Sequence, residues 1–130
     1  MARNTRTYSD FDLSFGMNPA THDVAMKYDE NAVKAAVKNL VLTKNYERPF
    51  HSEIGCQVSS LLFNPAGPML DATLSRSIRD VITTYEPRVV LMDVKVRSNP
   101  DNNAVYISIL FRIVNNPAPV TLELTLQRTR

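Results

Sequence analysis

Residues 85–127 read YEPRVVLMDVKVRSNPDNNAVYISILFRIVNNPAPVTLELTLQ, and the period of this run decides the fold. Val90, Met92, Val94 and Val96 alternate with Leu91, Asp93, Lys95 and Arg97. Residues 98–103 are all turn formers, Ser98-Asn99-Pro100-Asp101-Asn102-Asn103. Val105, Ile107, Ile109, Phe111 and Ile113 then alternate with Tyr106, Ser108, Leu110 and Arg112, up to a second turn at 115–119. In the last run Val120, Leu122, Leu124 and Leu126 face one way, and Thr121, Glu123, Thr125 and Gln127 the other. Period-2 runs joined by short turns predict a three-stranded antiparallel meander. One face is apolar and must be covered.

The cover lies upstream, where the period is 3.6. Leu70, Leu74, Ile78, Val81, Ile82 and Tyr85 step by three or four, predicting a helix over 69–85 that Pro87 ends. Ala32, Val33, Ala36, Val37, Leu40 and Val41 form a second stripe, predicting a helix over 29–43 with Asp29 as N-cap. Its alanines suggest close packing against a neighbouring element. Between the two, 44–55 reads as a loop and 56–63 as a short helix, stopped by Asn64-Pro65-Ala66-Gly67-Pro68. Near the start, Phe11, Leu13 and Phe15 alternate with polar residues and suggest an extra edge strand over 8–15, followed by a turn at Asn18-Pro19. The predicted class is α+β: two long helices and one short helix packed on a C-terminal meander.

A chain of 130 residues is the size of one domain, and we expect 1–130 to form one, with loose ends at 1–7 and 127–130. Four of the 15 basic residues sit at the ends, Arg3, Arg6, Arg128 and Arg130; without them acids outnumber bases by two. No Lys/Arg cluster lies inside the fold, so we expect no nucleic-acid partner. No apolar run reaches the ~18 residues of a membrane span, and the N-terminus lacks the apolar region of a signal peptide, so no membrane partner and assembly in a cytoplasm are expected.

The residues offer little chemistry. His22 and His51 have no ligand-spaced partners, the single Cys56 cannot make an internal disulfide, and no glycine-rich phosphate loop is present. We expect no metal, no cofactor and no catalytic residue. Cys56 beside His51 is best read as a small buried side chain. Glu53, Asp71 and Glu86 could supply a sugar-cleaving carboxylate pair by residue type alone. Two constellations stand out. Tyr85-Glu86-Pro87-Arg88 joins helix to sheet; its plain reading is a helix stop with two solvated charges, and its functional one an elbow holding a carboxylate and a guanidinium outward. Arg48-Pro49-Phe50, followed by Glu53 and Gly55-Cys56, reads as a loop whose Phe50 plugs the core.

With these pieces in this order, the chain resembles the small baseplate wedge family of contractile-tailed bacteriophages, shared with type VI secretion baseplates and sometimes labelled tail lysozyme. The resemblance spans about Tyr8 to Leu126 and rests on Tyr8-Ser9-Asp10, Arg48-Pro49-Phe50, Glu53-Ile54-Gly55-Cys56, Leu62-Phe63 and Glu86-Pro87-Arg88 before three strands. Residues 16–27 fall outside its pattern. The resemblance implies a structural protein, not an enzyme, located in the virion tail baseplate. It implies that Glu86-Pro87-Arg88 docks on a helical core bundle of other wedge proteins. It also implies that the sheet templates the first ring of tail sheath, with Val120–Leu126 as a free edge strand facing the sheath subunit. Arg48, Pro49, Phe50 and Gly55 would then be structural. The alternatives are a lysozyme-type glycoside hydrolase, which needs two carboxylates ~5–9.5 Å apart in a sugar-sized groove, and a generic adaptor domain. On the docking reading Glu86 and Arg88 should both be at least partly exposed, and Arg88→Ala should hardly change the melting temperature.

Overall fold

The computed structural model describes residues 6–127. In chain order the elements are β1 (Ser9–Phe11), β2 (Met26–Tyr28), α1 (Asp29–Leu42), α2 (Val58–Leu61), α3 (Pro68–Tyr85), β3 (Val89–Asn99), β4 (Ala104–Ile113) and β5 (Pro119–Gln127). The α+β class and the meander are as the sequence predicts. β3, β4 and β5 form one antiparallel sheet in that order, and β1 pairs with β2 in a separate two-stranded sheet. The expected N-terminal edge strand is thus half of a hairpin of its own, and its partner β2 begins at the end of the 16–27 stretch that carried no pattern. The loose ends expected at 1–7 and 127–130 fall mostly outside the described residues. Of those inside, the Thr7 N–H donates to Asp29 and Gln127 stands opposite Ala104 in the sheet.

Burial follows the two periods. Ala32, Val33, Val37 and Val41 of α1, and Leu70, Leu74, Ile78 and Ile82 of α3, are buried. All of these but Ala32 join the inward row of β4 in one core: Val105, Ile107, Ile109, Phe111 and Ile113. Each such side chain taken from water stabilises the fold by roughly 1.5–3 kcal/mol. Two local expectations change. Asp29 does not cap α1; its residue has φ 47°, and its Oδ1 accepts the N–H groups of Thr7 and Tyr8 at 2.8 and 3.1 Å, tying the start of β1 to α1. The run Val90, Met92, Val94, Val96 does not share one face. A β-bulge between Leu91 and Asp93 resets the alternation, so Val89 and Leu91 point inward before it and Val94 and Val96 after it, while Met92 is 54% exposed.

The two sheet edges differ. The Val114 N–H donates to the Arg88 carbonyl at 2.9 Å, which fixes the phase: even-numbered residues of β4 turn their backbone groups to β3, odd-numbered ones to β5. Through the β4–β5 register, Val120, Leu122, Leu124 and Leu126 bond β4, and the backbone groups of Thr121, Glu123, Thr125 and Gln127 face outward. Pro119, which has no N–H, falls in this outward phase. On β3 the outward groups are met by α3: Ser75 Oγ donates to the Val94 carbonyl at 3.1 Å, and Asp71 Oδ1 accepts the Ser98 N–H at 3.1 Å. Among the described residues no strand pairs with the outer edge of β5.

Candidate functional site: a cleft closed by Glu86 and Arg88

Helix α3 ends where Pro87 forbids another turn, and the Glu86 N–H makes its last helical bond, to the Ile82 carbonyl, at 3.0 Å. The chain then enters β3, and Glu86 and Arg88 come to the same side. Arg88 Nε donates to Glu86 Oε1 at 2.7 Å and Arg88 Nη2 to Oε2 at 2.9 Å, a bidentate pair. The expectation that both charges are exposed fails for Glu86, which is only 6% exposed. The reason is local: a residue two places on across a proline turn can fold its fork back over the carboxylate. The Arg88 guanidinium lies 5.6 Å from the Tyr8 ring centroid. Its side chain stays 30% exposed, and its pKa is raised, first by the hydrogen bonds to Glu86 and further by the charge of Glu86 and the nearby Asp10, against a lowering by burial.

The pair sits in the wall of a cleft of about 480 Å³. Asp10, Phe11 and Leu13 form one side, and Arg48, Ile54 and Tyr85 another. Small and medium side chains of α1 and its C-cap complete it: Ala35, Ala36, Asn39, Leu40 and Thr43. Ala35 and Ala36 therefore line an open surface, and the close packing that the alanines suggested is confined to Ala32. Phe11 and Leu13 are both more than half exposed, so the rim is apolar while Arg48, Arg88 and Asp10 supply charge. A trough with small residues below, apolar sides and a fixed guanidinium suits the apolar stripe of a helix that also carries an acidic or carbonyl acceptor.

Arg48 reaches this cleft, but Phe50 does not plug the core. It is fully exposed, at 101%, on left-handed backbone with φ 65°. Gly55 is structural in a specific way: a Cβ there would stand 2.7 Å from the Asn45 nitrogen and from the Lys44 carbonyl carbon. The three carboxylates of the hydrolase reading lie in three settings. Glu86 is bound on both oxygens by Arg88, Asp71 accepts the Ser98 N–H, and Glu53 is exposed, its pKa lowered first by its own backbone N–H and then by His51. A larger groove of about 670 Å³ lies between α3, where Asp71 and Ser75 line it, and the sheet, where Arg97, Tyr106 and Glu123 do. Glu86, Arg88 and Arg48, singled out in the sequence, are brought together in the cleft; the edge strand Val120–Leu126 is elsewhere. Sequence reasoning missed Phe11, Leu13 and Asn39 as cleft residues: the first two were read only as the apolar side of an edge strand, and Asn39 lies off the apolar stripe of α1.

Comparison with known proteins bears on this geometry. Residues 27–118 match the family described as baseplate wedge protein gp25. That span holds α1, the 44–55 loop, α3 and Glu86–Arg88, and stops short of β5. The chain is 30% identical over 117 residues to the baseplate wedge protein gp25 of Enterobacteria phage T4, covering 90% of this chain and 88% of that protein. Among solved structures, a candidate tail lysozyme from Geobacter sulfurreducens superposes with a TM-score of 0.68 at 15% identity, over 75% of this chain and 89% of that one. A chain of the anti-feeding prophage baseplate gives 0.65 at 18%, over 91% and 83%. A chain of the postcontracted pyocin R2 baseplate gives 0.55 at 15%, over 88% and 98%. At these identities the structural likenesses speak for the fold.

Proposed function

The chain belongs to the baseplate wedge protein gp25 family, and from that premise we propose a subunit of a contractile tail baseplate, located in the virion, that docks other wedge proteins through its cleft and offers its last strand to the sheath. The observation that carries the docking half is the Glu86–Arg88 pair among the residues lining a cleft of small and apolar side chains. Two of the guanidinium's five donors are spent on Glu86, and the rest remain for a partner. Glu86 thus acts by holding Arg88 in place. The partner that fits is a helical bundle of other wedge proteins.

The sheath half rests on the edge of β5. Thr121, Glu123 and Thr125 present outward backbone groups while Val120, Leu122, Leu124 and Leu126 anchor the strand on β4. An incoming sheath arm would add a strand by main-chain hydrogen bonds. A structural role, with no hydrolysis, is favoured because both oxygens of Glu86 are held by Arg88 and Asp71 accepts the Ser98 N–H. The test is reconstitution. The chain is mixed with the helical wedge proteins of its own particle and then with sheath subunit, and complexes are followed by size-exclusion chromatography and electron microscopy. Wild type should join the wedge and then nucleate sheath. Failure to bind the wedge proteins overturns the docking reading. Clearing of peptidoglycan by purified chain, lost on Glu53→Gln, Asp71→Asn or Glu86→Gln, overturns the structural reading.

A further inference from the structure

The 44–55 loop beside the cleft carries a feature that internal packing does not explain. Tyr46 is 84% exposed and Phe50 fully so, and both sit on left-handed backbone, φ 67° and 65°, which bulky side chains rarely adopt. The loop is well braced. The Tyr46 N–H donates to the Ser52 carbonyl at 3.0 Å, the Cys56 N–H to the Thr43 carbonyl at 2.8 Å, and the Lys44 N–H to Glu47 Oε2 at 2.8 Å. Gly55 presses against Asn45 at its base, and the Tyr85 hydroxyl donates to the Glu53 carbonyl at 3.0 Å, fixing the loop to the residue before Glu86. The result is a rigid tip that holds an aromatic ring in water. Glu47 accepts the Lys44 main-chain N–H and Glu53 faces His51, whereas the two cations of the loop, Lys44 and Arg48, are exposed with no ion pair among the described residues.

We propose that this tip is a second anchor of the docking surface. Phe50 seats in an apolar pocket of the same helical wedge partner that fills the cleft, and Arg48 pairs with a carboxylate at the rim of that pocket. The inference deepens the docking reading and rests on it for the partner. Its own support is independent of Glu86 and Arg88: a strained, braced backbone that presents an aromatic ring beside an unpaired arginine. These residue types dominate interface anchors, and a preformed conformation lowers the entropy lost on binding. The unpaired positive charge sets the partner's sign. Phe50 does not line the cleft, so it adds a contact the trough does not supply.

A photoreactive benzoyl-phenylalanine is placed at position 50, and separately at Leu13 on the cleft's apolar rim, in the full chain co-expressed with the helical wedge proteins of its own particle. Irradiation and peptide mapping should join both positions to one partner, with apolar residues and an Asp or Glu around the site reached from position 50. If Leu13 links to the helical partner but position 50 links to a second copy, to another protein or to nothing, the loop proposal is overturned and cleft docking stands. A link from position 50 alone to an apolar, acid-edged site keeps the loop contact and overturns the cleft reading. In binding measurements Phe50→Ala, Phe50→Gly and Arg48→Glu should each weaken the complex at least ~10-fold, as loss of an anchor does. The melting temperature of Phe50→Gly should be unchanged or higher, because glycine accepts φ 65° freely. Phe50→Ala binding within about twofold of wild type, as rim residues do, overturns the proposal.

Discussion

Removing the Arg88 guanidinium would strand Glu86, a carboxylate 6% exposed with both oxygens bound by that one side chain. A buried charge that loses its partner costs far more than an exposed pair is worth. Arg88→Ala should therefore lower unfolding free energy by about 2 kcal/mol, contrary to the expectation of an unchanged melt. Adding Glu86→Ala should restore part of the loss, giving a coupling of about 1–3 kcal/mol in a double-mutant cycle read by urea denaturation. An Arg88→Ala cost below about 0.5 kcal/mol, the range of ordinary surface changes, would show the pair to be a surface feature. The pair also separates fold from function: Glu86→Leu with Arg88→Met should fold yet fail to dock. Gly55 gives a second test at this scale. An added Cβ would meet main-chain atoms of Lys44 and Asn45 at 2.7 Å, and main chain cannot swing aside like a flexible side chain. Gly55→Ala should cost about 2 kcal/mol and, by disturbing the base of the loop, weaken docking as well.

At the scale of elements, the phase of β5 makes a sharper prediction than its sequence allowed. The N–H groups of Thr121, Glu123 and Thr125 face the open edge and those of Leu122 and Leu124 face β4, so proline should be tolerated at the first three and not at the other two. Leu124→Pro should lose about 3 kcal/mol or more, while Thr121→Pro should keep a folded far-ultraviolet spectrum and a cooperative melt. The reverse order would mean that the phase is wrong. What was legible at this scale was whatever had a long period. The three strands and α3 announce themselves because 9 to 18 residues repeat the same spacing. The bulge at Met92 was not legible, because one extra residue shifts the phase without breaking the apolar run. Nor was β2, whose three residues are too few to show a period and which owes its existence to pairing with β1. The burial of Glu86 was hidden for another reason: Arg88 folds back over it across Pro87, where the sequence suggests two solvated charges, and Arg88 in turn meets Tyr8, nearly eighty residues away. Phe50 was misplaced because an apolar residue in a loop is ordinarily read as a plug, whereas here its backbone turns it outward.

For the whole molecule the arrangement of the two proposed surfaces matters more than either alone. Helix α1 stands between them. Ala36 and Leu40 line the cleft, while Asn31, Lys34 and Lys38 line a shallower hollow that reaches Leu122 of β5. Ala35 and Asn39 border both. A partner seated in the cleft would therefore fix the direction of the β5 edge through one rigid helix, whose apolar stripe is locked into the core by Val33, Val37 and Val41. No conformational change is needed; the coupling is geometric. It follows that the two steps of assembly should separate cleanly by mutation. Ala35→Phe adds bulk where the cleft is lined by small side chains, leaves the buried stripe untouched, and should abolish entry into the wedge while the isolated chain melts within a few degrees of wild type. Thr121→Pro or Thr125→Pro should enter the wedge with wild-type affinity and yield baseplates bearing no sheath, because each removes one outward donor and bends the edge. Electron microscopy of particles assembled with each variant reads the outcome directly. Naked but complete baseplates from the edge variants, and no baseplates from Ala35→Phe, support a subunit that is oriented by one surface and templates with the other. Full sheath on both folded edge variants would move the template off β5 and leave the meander as a scaffold for the cleft.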